Sequence, residues 1–450
     1  MRFSRLVVFG VIVFLLAAAG AVYLATRPGS TSHEAPTTQP VVVPDVLHSL
    51  TASPIPDAAS LAATLRGDAH DPALGTVAAV VVDARTGAEL YARHAGRSVA
   101  PASTAKLLTA AAALTRLAGT EPLTTGVVRS SDTLYLVGGG DVTLALRSQP
   151  GYPHVATVAA LAAKTAAAVT PGAALQLRYD ASGWSGPDLA SGWSPGYLSA
   201  GNVSRLRPLE VDEGRLAEGA TAPRAVDPAR QAALAFRRAL RVSGVHVQGP
   251  LRPGVAPSSG LGIASVDSAP IPAQVVRMLT ESDNDLAEAL GRLIARHDGR
   301  PATFEGAAAA VTAAVRDLGI PMRGVRLHDA SGLSRDDRVT PRALVALLQL
   351  VANGNPTLAP LSAGLPVAGF TGTLADRYRG KTTDAGAGVV RAKTGTLAGV
   401  SALAGQVVDA DGRLLVFAFL ADHVPSPAPA EDALDRLATA LSACGCRAPT

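Results

Sequence analysis

Lysine, asparagine and aromatic residues are scarce in this sequence of 450 residues. Only four of its 40 basic residues are lysines, and it contains only four asparagines. Arginine stays protonated in proteins, whereas a buried lysine can lose its proton and act as a base. A lysine kept in so arginine-rich a sequence is therefore a candidate for a task that arginine cannot perform. Aromatic residues make up only 4% of the chain, so aliphatic side chains must fill its core.

The overall composition and charge distribution exclude several classes of protein. Hydrophobic residues make up 48% of the chain and charged residues 17%, which excludes a disordered or coiled-coil chain. The net charge of +4 is spread along the sequence without a basic block, so we predict no nucleic-acid groove. The nine histidines form no HxxxH pair, and we predict neither a metal site nor a cofactor. Cys444 and Cys446 either form a tight disulfide or belong to a frayed tail.

The N-terminus carries a membrane-targeting pattern. Arg2 and Arg5 precede an uncharged apolar run over residues 6–25, which is long enough to cross a bilayer as a helix. We predict an uncleaved signal anchor within residues 1–30, with its arginines cytoplasmic and the rest of the chain exported. Small residues in the run leave cleavage as an alternative. Residues 31–56 are rich in proline, serine and threonine, which predicts an extended tether.

The folded region after the tether shows the patterns of an α+β protein. Before and after residues 129–265, strands are predicted at residues 77–82, 89–91, 389–396, 401–408 and 413–421. The predicted helices cover residues 103–117, 155–169, 227–242, 273–280, 285–296, 341–352 and 431–441. Between residues 129 and 265, short strands mix with Gly/Pro loops around two of these helices, which predicts an inserted domain of α/β type. Residues 57–128 and 266–450 then form one domain that the insertion interrupts.

Three short motifs combine serine, lysine and asparagine. They are Ser103-Thr104-Ala105-Lys106, Ser282-Asp283-Asn284 and Lys393-Thr394-Gly395. Each motif alone has an ordinary explanation, such as a helix N-cap or a turn. Together they fall on a predicted helix, an interhelix loop and a strand, and they use two of the four lysines. This set of motifs occurs in class A β-lactamases and penicillin-binding proteins.

The residue types of these motifs suit nucleophilic catalysis by serine. Ser103 and Lys106 lie three residues apart on a predicted helix, so both project from one face and the amine can reach the hydroxyl. Lys106 can act as a base only if its pKa is depressed, and we expect burial and the nearby cation of Lys393 to depress it. Ser282 and Asn284 lie on an interhelix loop, which can present a hydroxyl and an amide rigidly.

The third motif has the features of a peptide-binding strand. The strand backbone at Lys393 and Thr394 can align an extended peptide while the two side chains bind its terminal carboxylate. Gly395 leaves room for the close approach of another backbone. The backbone N–H groups of Ser103 and Thr396 are the candidate oxyanion hole.

A rival serine motif occurs at residues 192–196, where Gly-Trp-Ser-Pro-Gly matches the G-x-S-x-G pattern of a nucleophile elbow. Such an elbow uses the N–H of the residue after the serine, and here that residue is Pro195, which has none. The flanking sequence is loop-like. We therefore interpret the segment as a turn, with Trp193 packed against the inserted domain.

The chain resembles the penicillin-binding protein 4 type D-alanyl-D-alanine carboxypeptidases, peptidase family S13, in an actinobacterial form. The similarity runs through nearly all of the chain after the tether. The segments that carry it are 101–106 (PASTAK), 134–141 (LYLVGGGD), 281–284 (ESDN), 329–335 (DASGLSR), 369–374 (GFTGTL) and 392–397 (AKTGTL). The resemblance implies a β-lactamase/transpeptidase-like domain, an antiparallel sheet flanked by helices, with a second domain inserted between the first two motifs.

The resemblance also implies an activity, a partner and a place. The chain would be a serine-type D-alanyl-D-alanine carboxypeptidase, or a D,D-endopeptidase, that acts on peptidoglycan stem peptides through an acyl-enzyme and binds β-lactams. It would work outside the cytoplasm, anchored to the membrane or secreted into the cell wall space. The implied roles are nucleophile for Ser103, base for Lys106, proton relay for Ser282, acyl-side contact for Asn284, and carboxylate contacts for Lys393 and Thr394.

One further pair of residues and two alternatives remain. Relatives use the leucine and arginine of the SGLSR segment to line a pocket for a diaminopimelate side chain, and these positions match Leu333 and Arg335. A catalytically silent wall-binding module is one alternative function, against which the intact motifs argue. A β-lactamase is another, and it needs a fast deacylating base, commonly a loop glutamate, that the sequence does not identify.

Overall fold

The computed structural model of the chain describes residues 53–117, 122–147 and 155–445. The predicted signal anchor, most of the predicted tether and Cys446 lie outside the described residues, and Cys444 is buried at the end of the last helix. Within the described residues, no single helix is long and apolar enough to cross a membrane. One pair of helices, Pro341–Ala352 with residues 356–364, meets that length and composition test together but is bent by 105°.

Two five-stranded sheets organise the described residues. The first has the order β2-β1-β10-β9-β8, and every neighbouring pair in it is antiparallel. Its strands are β1 (Thr76–Asp83), β2 (Glu89–Arg93), β8 (Arg391–Leu397), β9 (Val400–Val408) and β10 (Leu414–Asp422). The second has the order β6-β5-β4-β3-β7. Its strands are β3 (Thr124–Ser130), β4 (Thr133–Val137), β5 (Leu175–Asp180), β6 (Val247–Pro253) and β7 (Leu261–Asp267).

Eleven α-helices accompany the two sheets within the described ranges. They are α1 (Ala58–Leu65), α2 (Lys106–Arg116), α3 (Val158–Ala168), α4 (Gly196–Ser199), α5 (Pro228–Val242), α6 (Ile271–Thr280), α7 (Asn284–His297), α8 (Phe304–Asp317), α9 (Pro341–Ala352), α10 (Ala359–Gly364) and α11 (Pro427–Ala443). The predicted α+β fold, with an antiparallel sheet flanked by helices, is confirmed. Every predicted strand and helix has an observed counterpart, with ends that differ by a few residues.

The first sheet is buried on both faces because its strands are apolar at successive positions. Side chains alternate between the faces of a strand. In β1, Ala78, Val80 and Val82 therefore join a core that α2 and α6–α9 cover, while Val77, Ala79 and Val81 join a second core under α1 and α11. Strand β1 also pairs with β10 along its whole length, and a buried ion pair joins Asp83 to Arg413, the residue before β10.

The second sheet is formed by the chain segment that the sequence predicts to be an insertion. Strand β3 pairs with β4 and β7 antiparallel, whereas β4–β5 and β5–β6 are parallel, so the sheet is mixed. Helices α3 and α5 pack on each other and contribute apolar side chains to this domain's own core. The strands start at Thr124 and end at Asp267, a few residues outside the predicted limits of 129 and 265.

Helix α8 has no counterpart among the predicted elements. Six of its fourteen residues, FEGAAAAVTAAVRD, are alanine, so the large apolar residues that reveal a helical period are few. Thr303 caps its N-terminus by accepting a hydrogen bond from the N–H of Gly306. The small side chains let α8 pack closely on α2 and α7, which carry the motif residues.

Candidate active site

The serine of the first motif lies on a short 3₁₀ turn, Ala102–Ala105, that leads directly into α2. Ala102 has a φ of 47°, in the left-handed region that an alanine rarely adopts. The backbone at Gly332 packs directly against this turn and holds it in place. The contact is so close that a Cβ atom at Gly332 would lie 1.9 Å from the carbonyl oxygen of Ala102. Backbone strain next to Ser103 is therefore maintained by close packing, as is common at functional sites.

Lys106 is fully buried, and three acceptors surround its amine. Its Nζ atom lies 2.9 Å from Ser103 Oγ, 2.6 Å from Asn284 Oδ1 and 2.8 Å from the carbonyl oxygen of Ser331. A lysine ammonium has three N–H donors, so all three are used. When the amine is neutral, the two carbonyl acceptors hold its two N–H groups and the lone pair is left for the Ser103 hydroxyl.

The electrostatic environment of Lys106 combines two opposing effects. Burial lowers the pKa of Lys106 to about 8, while nearby carboxylates, with Asp329 and Glu288 foremost, limit the fall. A base with a pKa close to neutrality is the one that works best at physiological pH. Glu288 itself accepts hydrogen bonds from the N–H groups of Ala330 and Ser331 at 3.0 and 2.8 Å. It thereby positions the carbonyl that holds Lys106.

The second motif forms the turn between α6 and α7. Ser282 has a φ of 57°, and Asp283 caps α7 by accepting a hydrogen bond from the N–H of Leu286 at 2.9 Å. Asn284 is therefore the first residue of α7. Its amide joins two partners, because Oδ1 accepts from Lys106 and Nδ2 donates to the carbonyl oxygen of Asn202 at 2.8 Å.

The third motif lies on β8, as predicted, and its lysine is fully buried. The Lys393 amine donates to the carbonyl oxygen of Thr394 at 3.1 Å. Burial, reinforced by the neighbouring Lys106, lowers the pKa of Lys393 well below its ordinary value. We expected the charge of Lys393 to depress the pKa of Lys106. The expected effect of burial on Lys106 is observed, whereas the contribution of Lys393 stays a prediction.

Gly395 is required by the close approach of β8 to the turn that carries the serine. A Cβ atom at this position would lie 2.8 Å from the carbonyl oxygen of Pro101 and 3.1 Å from the backbone nitrogen of Ser103. The close approach predicted for Gly395 is thus made by the chain's own backbone. It also brings the N–H groups of Ser103 and of β8 to the same edge of the site.

A cavity of about 240 Å³ opens between the serine turn and β8. It is lined by Ser103, Ser282, Thr373, Arg377, Thr394, Gly395, Thr396 and Glu431. The hydroxyls of Thr373 and Thr394 are hydrogen-bonded at 2.7 Å, and the Thr396 hydroxyl donates to Glu431 Oε1 at 2.7 Å. All three motifs therefore contribute to one cleft. A larger cavity of about 790 Å³ lies at the ends of β5 and β6, and no motif residue lines it.

Leu333 and Arg335 do not line this cleft in the described part of the chain. Leu333 is 5% exposed and packs in a cluster with Ala102, Val203 and other apolar side chains. Arg335 is exposed to solvent on the following loop. The pair's role in recognising a side chain therefore stays a prediction.

The rival serine motif forms a turn that leads into α4. The prediction that Trp193 packs against the inserted domain was incomplete. Its ring meets Phe304 of α8 edge-on at 5.2 Å, and its Nε1 donates to Asp329 Oδ2 at 2.8 Å. Both partners belong to the first domain, so Trp193 joins the two domains near the cleft.

Sequence reasoning missed several groups that complete the site. The carbonyls of Ser331 and Asn202 are backbone groups, so the residue types at these positions do not predict their role. Glu288 lies one turn after Asn284 on α7, a spacing that could have pointed to it. Thr373 lies in the GFTGTL segment, so the resemblance marked the segment without assigning the hydroxyl.

Comparisons with known proteins agree with one another. The family model of the D-Ala-D-Ala carboxypeptidase 3 (S13) family matches residues 61–225 and 216–441. The chain is 38% identical to carboxypeptidase DacB of Mycolicibacterium smegmatis over 426 residues, which cover 92% of this chain and 89% of the relative. It is 32% identical to the D-alanyl-D-alanine carboxypeptidase of an Actinomadura species, over 80% of each chain.

The fold is also similar to a solved structure. Penicillin-binding protein 4 from Haemophilus influenzae superimposes with a TM-score of 0.68 and 21% sequence identity. The match covers 85% of this chain and 98% of the solved one. This likeness bears on the architecture alone and confirms a penicillin-binding-protein fold for the first domain and its insertion.

Proposed function

The chain belongs to the D-Ala-D-Ala carboxypeptidase 3 (S13) family of serine peptidases, and from that membership we propose that it removes the terminal D-alanine of peptidoglycan stem peptides. The observation that carries this proposal is the contact of the buried Lys106 amine with Ser103 Oγ at 2.9 Å. A serine needs a base to become nucleophilic. A lysine with a pKa of about 8 can be that base near neutral pH.

The reaction begins when neutral Lys106 takes the proton of Ser103. The serine oxygen attacks the carbonyl carbon between the two D-alanines, and the N–H groups of Ser103 and Thr396 stabilise the oxyanion. Ser282, which lines the same cavity as Ser103, passes the proton to the leaving amine. The C–N bond breaks, D-alanine leaves, and the peptide remains as an ester on Ser103. Water then hydrolyses this ester and restores the hydroxyl.

Binding of the substrate carboxylate falls to the strand side of the cleft. Thr394 and Thr396 line the cavity, and Lys393 lies behind Thr394 with its amine buried. An arriving carboxylate offers the counter-charge that a protonated lysine needs in a buried place. Protonated Lys393 therefore forms a charge-assisted hydrogen-bonded site for the anion together with the threonines.

We propose an extracytoplasmic location for this activity. The basis is the apolar run at residues 6–25 after two arginines, which has the length and flanks of a signal anchor. The proposed substrate belongs to the cell wall, so a domain held outside the membrane by the tether at residues 31–56 would reach it. Protease treatment of intact cells should degrade the domain while leaving a cytoplasmic marker whole.

The proposal is tested by the intact mass of the full-length protein after incubation with benzylpenicillin, beside a Ser103→Ala variant. A one-to-one adduct that the variant lacks is the expected result. Rapid loss of penicillin without an adduct would indicate a β-lactamase instead. Neither adduct nor loss would leave a silent binding module and refute the mechanism.

Product analysis then identifies the bond that is cut. The same steps could open a cross-link between two stem peptides, which is the endopeptidase reaction. Release of D-alanine from a pentapeptide, measured beside cleavage of a cross-linked dimer, separates the two activities. We expect D-alanine release from the pentapeptide, and its absence in the presence of an adduct would assign the protein to cross-link cleavage.

A further inference from the structure

The second domain reaches into the candidate active site through one backbone carbonyl. Asn284 donates from Nδ2 to the carbonyl oxygen of Asn202, which lies 82 positions earlier in the chain. At the other end of the same amide, Oδ1 accepts the hydrogen bond from Lys106 at 2.6 Å. A flipped amide would set donor against donor at Lys106 and acceptor against acceptor at Asn202. The carbonyl of Asn202 therefore fixes which end of Asn284 faces the lysine.

A buried arginine holds the chain next to this carbonyl. Arg224 donates from Nε and Nη2 to the carbonyl oxygen of Gly201 at 3.0 and 2.9 Å, and from Nη1 to that of Glu213 at 2.6 Å. Its side chain is 3% exposed. The planar guanidinium can make such a fork with little loss of rotamer freedom. Arg224 thus joins the backbone at Gly201, the residue before Asn202, to the backbone at Glu213, which lies in a separate stretch of the second domain.

Residues 201–206 also contact the first domain beyond Asn284. The N–H of Ser204 donates to Asp285 Oδ1 at 2.7 Å, so the segment is attached to the residue that follows Asn284 on α7. Val203 and Leu206 are buried in the apolar cluster that contains Ala102, the residue before the serine. One short segment therefore contacts the asparagine, its helix and the serine turn.

We propose that residues 201–206 are a positioning element for the peptidase reaction, with Gly201 and Arg224 fixing the Asn202 carbonyl and thereby the orientation of Asn284. The inference rests on the proposed function, in which Asn284 holds the acyl side of the substrate. The amide nitrogen of Asn284 has two hydrogens, and one is bound to Asn202. The second is left for a carbonyl on the acyl side, so the inserted domain completes the substrate site.

A first pair of variants disturbs the segment through its backbone. Gly201 has a φ of 71°, and a Cβ atom there would lie 2.4 Å from the Thr221 carbonyl oxygen and 2.6 Å from that of Ala222. Gly201→Ala must therefore displace the segment. Gly219→Ala is the matched control, since Gly219 has a φ of 113° and a Cβ atom there would meet nothing within 4 Å. Both variants carry backbone strain, and only Gly201→Ala adds a collision with backbone atoms.

A second pair disturbs the segment through its arginine. Arg224→Lys keeps the charge but cannot reach the carbonyls of Gly201 and Glu213 together. Arg215→Lys is the matched control, because Arg215 forms an ion pair with the side chain of Glu213 but has no hydrogen bond or ion pair to residues 201–206 in the described part of the chain. The two pairs act by different means, so either pair decides the question if a variant of the other fails to fold.

The readout is the rate of acylation of Ser103 by two penicillins. Benzylpenicillin carries an acylamino carbonyl that Asn284 would hold, whereas 6-aminopenicillanic acid lacks it. Gly201→Ala and Arg224→Lys should slow acylation by benzylpenicillin about tenfold, the loss of one good hydrogen bond. They should slow acylation by 6-aminopenicillanic acid about twofold or less, and the control variants should stay within about twofold of wild type for both.

Two results would overturn the inference. Folded Gly201→Ala or Arg224→Lys that reacts with benzylpenicillin at the wild-type rate would show that the segment does not position Asn284. Equal slowing with both penicillins would show that the variants act through Lys106, the other partner of Asn284, or through the fold, and would refute a contact to the acyl side. Failure of the proposed function is distinguishable from both, since the wild-type protein itself would then form no adduct.

Discussion

The two lysines of the cleft are equally buried, and they differ in what surrounds the amine. Lys106 on the helical side has three acceptors and a set of buried carboxylates, whereas Lys393 on the strand side has the carbonyl of Thr394 and a neighbouring lysine. Burial depresses the pKa of both. For Lys106 the carboxylates limit the fall, so that its pKa is about 8. No comparable effect counters the fall in the pKa of Lys393.

Because of this difference, we expect Lys106 and Lys393 to have different roles. Lys106 loses and regains a proton within the physiological range, as a general base must. Burial disfavours the charge of Lys393 until an anion offers a counter-charge, as suits a carboxylate site. The scarcity of lysine in the sequence therefore has a physical reason at Lys106, because arginine could not give up its proton there.

The largest effect is expected from Lys106→Met, which keeps the length of the side chain and removes the base. Acylation by benzylpenicillin should fall about a thousandfold, the usual contribution of a general base. Lys106→Arg should be as slow, because its guanidinium stays protonated. Stopped-flow or mass-spectrometric rates would measure both. Acylation by Lys106→Arg within about tenfold of wild type would contradict a base at this position.

Lys393→Met should have a smaller effect of a different kind. The variant loses a charged partner of the substrate carboxylate, worth about tenfold to a hundredfold in kcat/KM. Steady-state kinetics on a D-alanyl-D-alanine peptide and on its C-terminal amide would separate binding from chemistry. The loss should be confined to the free acid. An equal loss on the amide would show that Lys393 takes part in proton transfer instead.

The pH dependence should follow Lys106 alone. Protonated Lys106 cannot accept the serine proton, so the acylation rate should fall about tenfold for each pH unit below about 8 and level off above it. Lys393→Met should keep this midpoint, because burial and the neighbouring carboxylates set the pKa of Lys106. Rate profiles between about pH 6 and pH 9 would show it. A midpoint that rises in the variant would mean that Lys393 is charged in the empty cleft.

The smallest effect is expected from Thr373→Val. The hydroxyls of Thr373 and Thr394 are hydrogen-bonded at 2.7 Å, and losing this partner should lower kcat/KM about fivefold by freeing the Thr394 rotamer. Thr439→Val is the matched control, since it loses a buried hydroxyl bond to the Thr383 carbonyl on a helix position outside the cleft lining. An equal loss in both variants would point to a general change in stability.

The sequence predicted most of the architecture and the motif residues for physical reasons. Continuous apolar runs revealed the strands of the first sheet, helical periods revealed most helices, and residue chemistry singled out Ser103, Lys106 and Lys393. Helix α8 escaped because alanine gives a weak period. The lowered pKa of Lys393 depends on desolvation, which only the packed structure displays. The carbonyls of Ser331 and Asn202 come together with Lys106 and Asn284 only through folding, and no local pattern encodes them.

The pairing of β1 with β10 has a consequence for the order in which the chain folds. Asp83 and Arg413, which form the buried pair between these strands, lie 330 positions apart. Contacts of such sequence separation form late and slowly, because the intervening chain must first be ordered or looped out. Until β10 arrives, β1 presents an apolar, unpaired edge that favours association with other chains. The cleft between Ser103 and β8 is complete only once this sheet has closed, and we expect the inserted domain, with its own core, to be able to fold first.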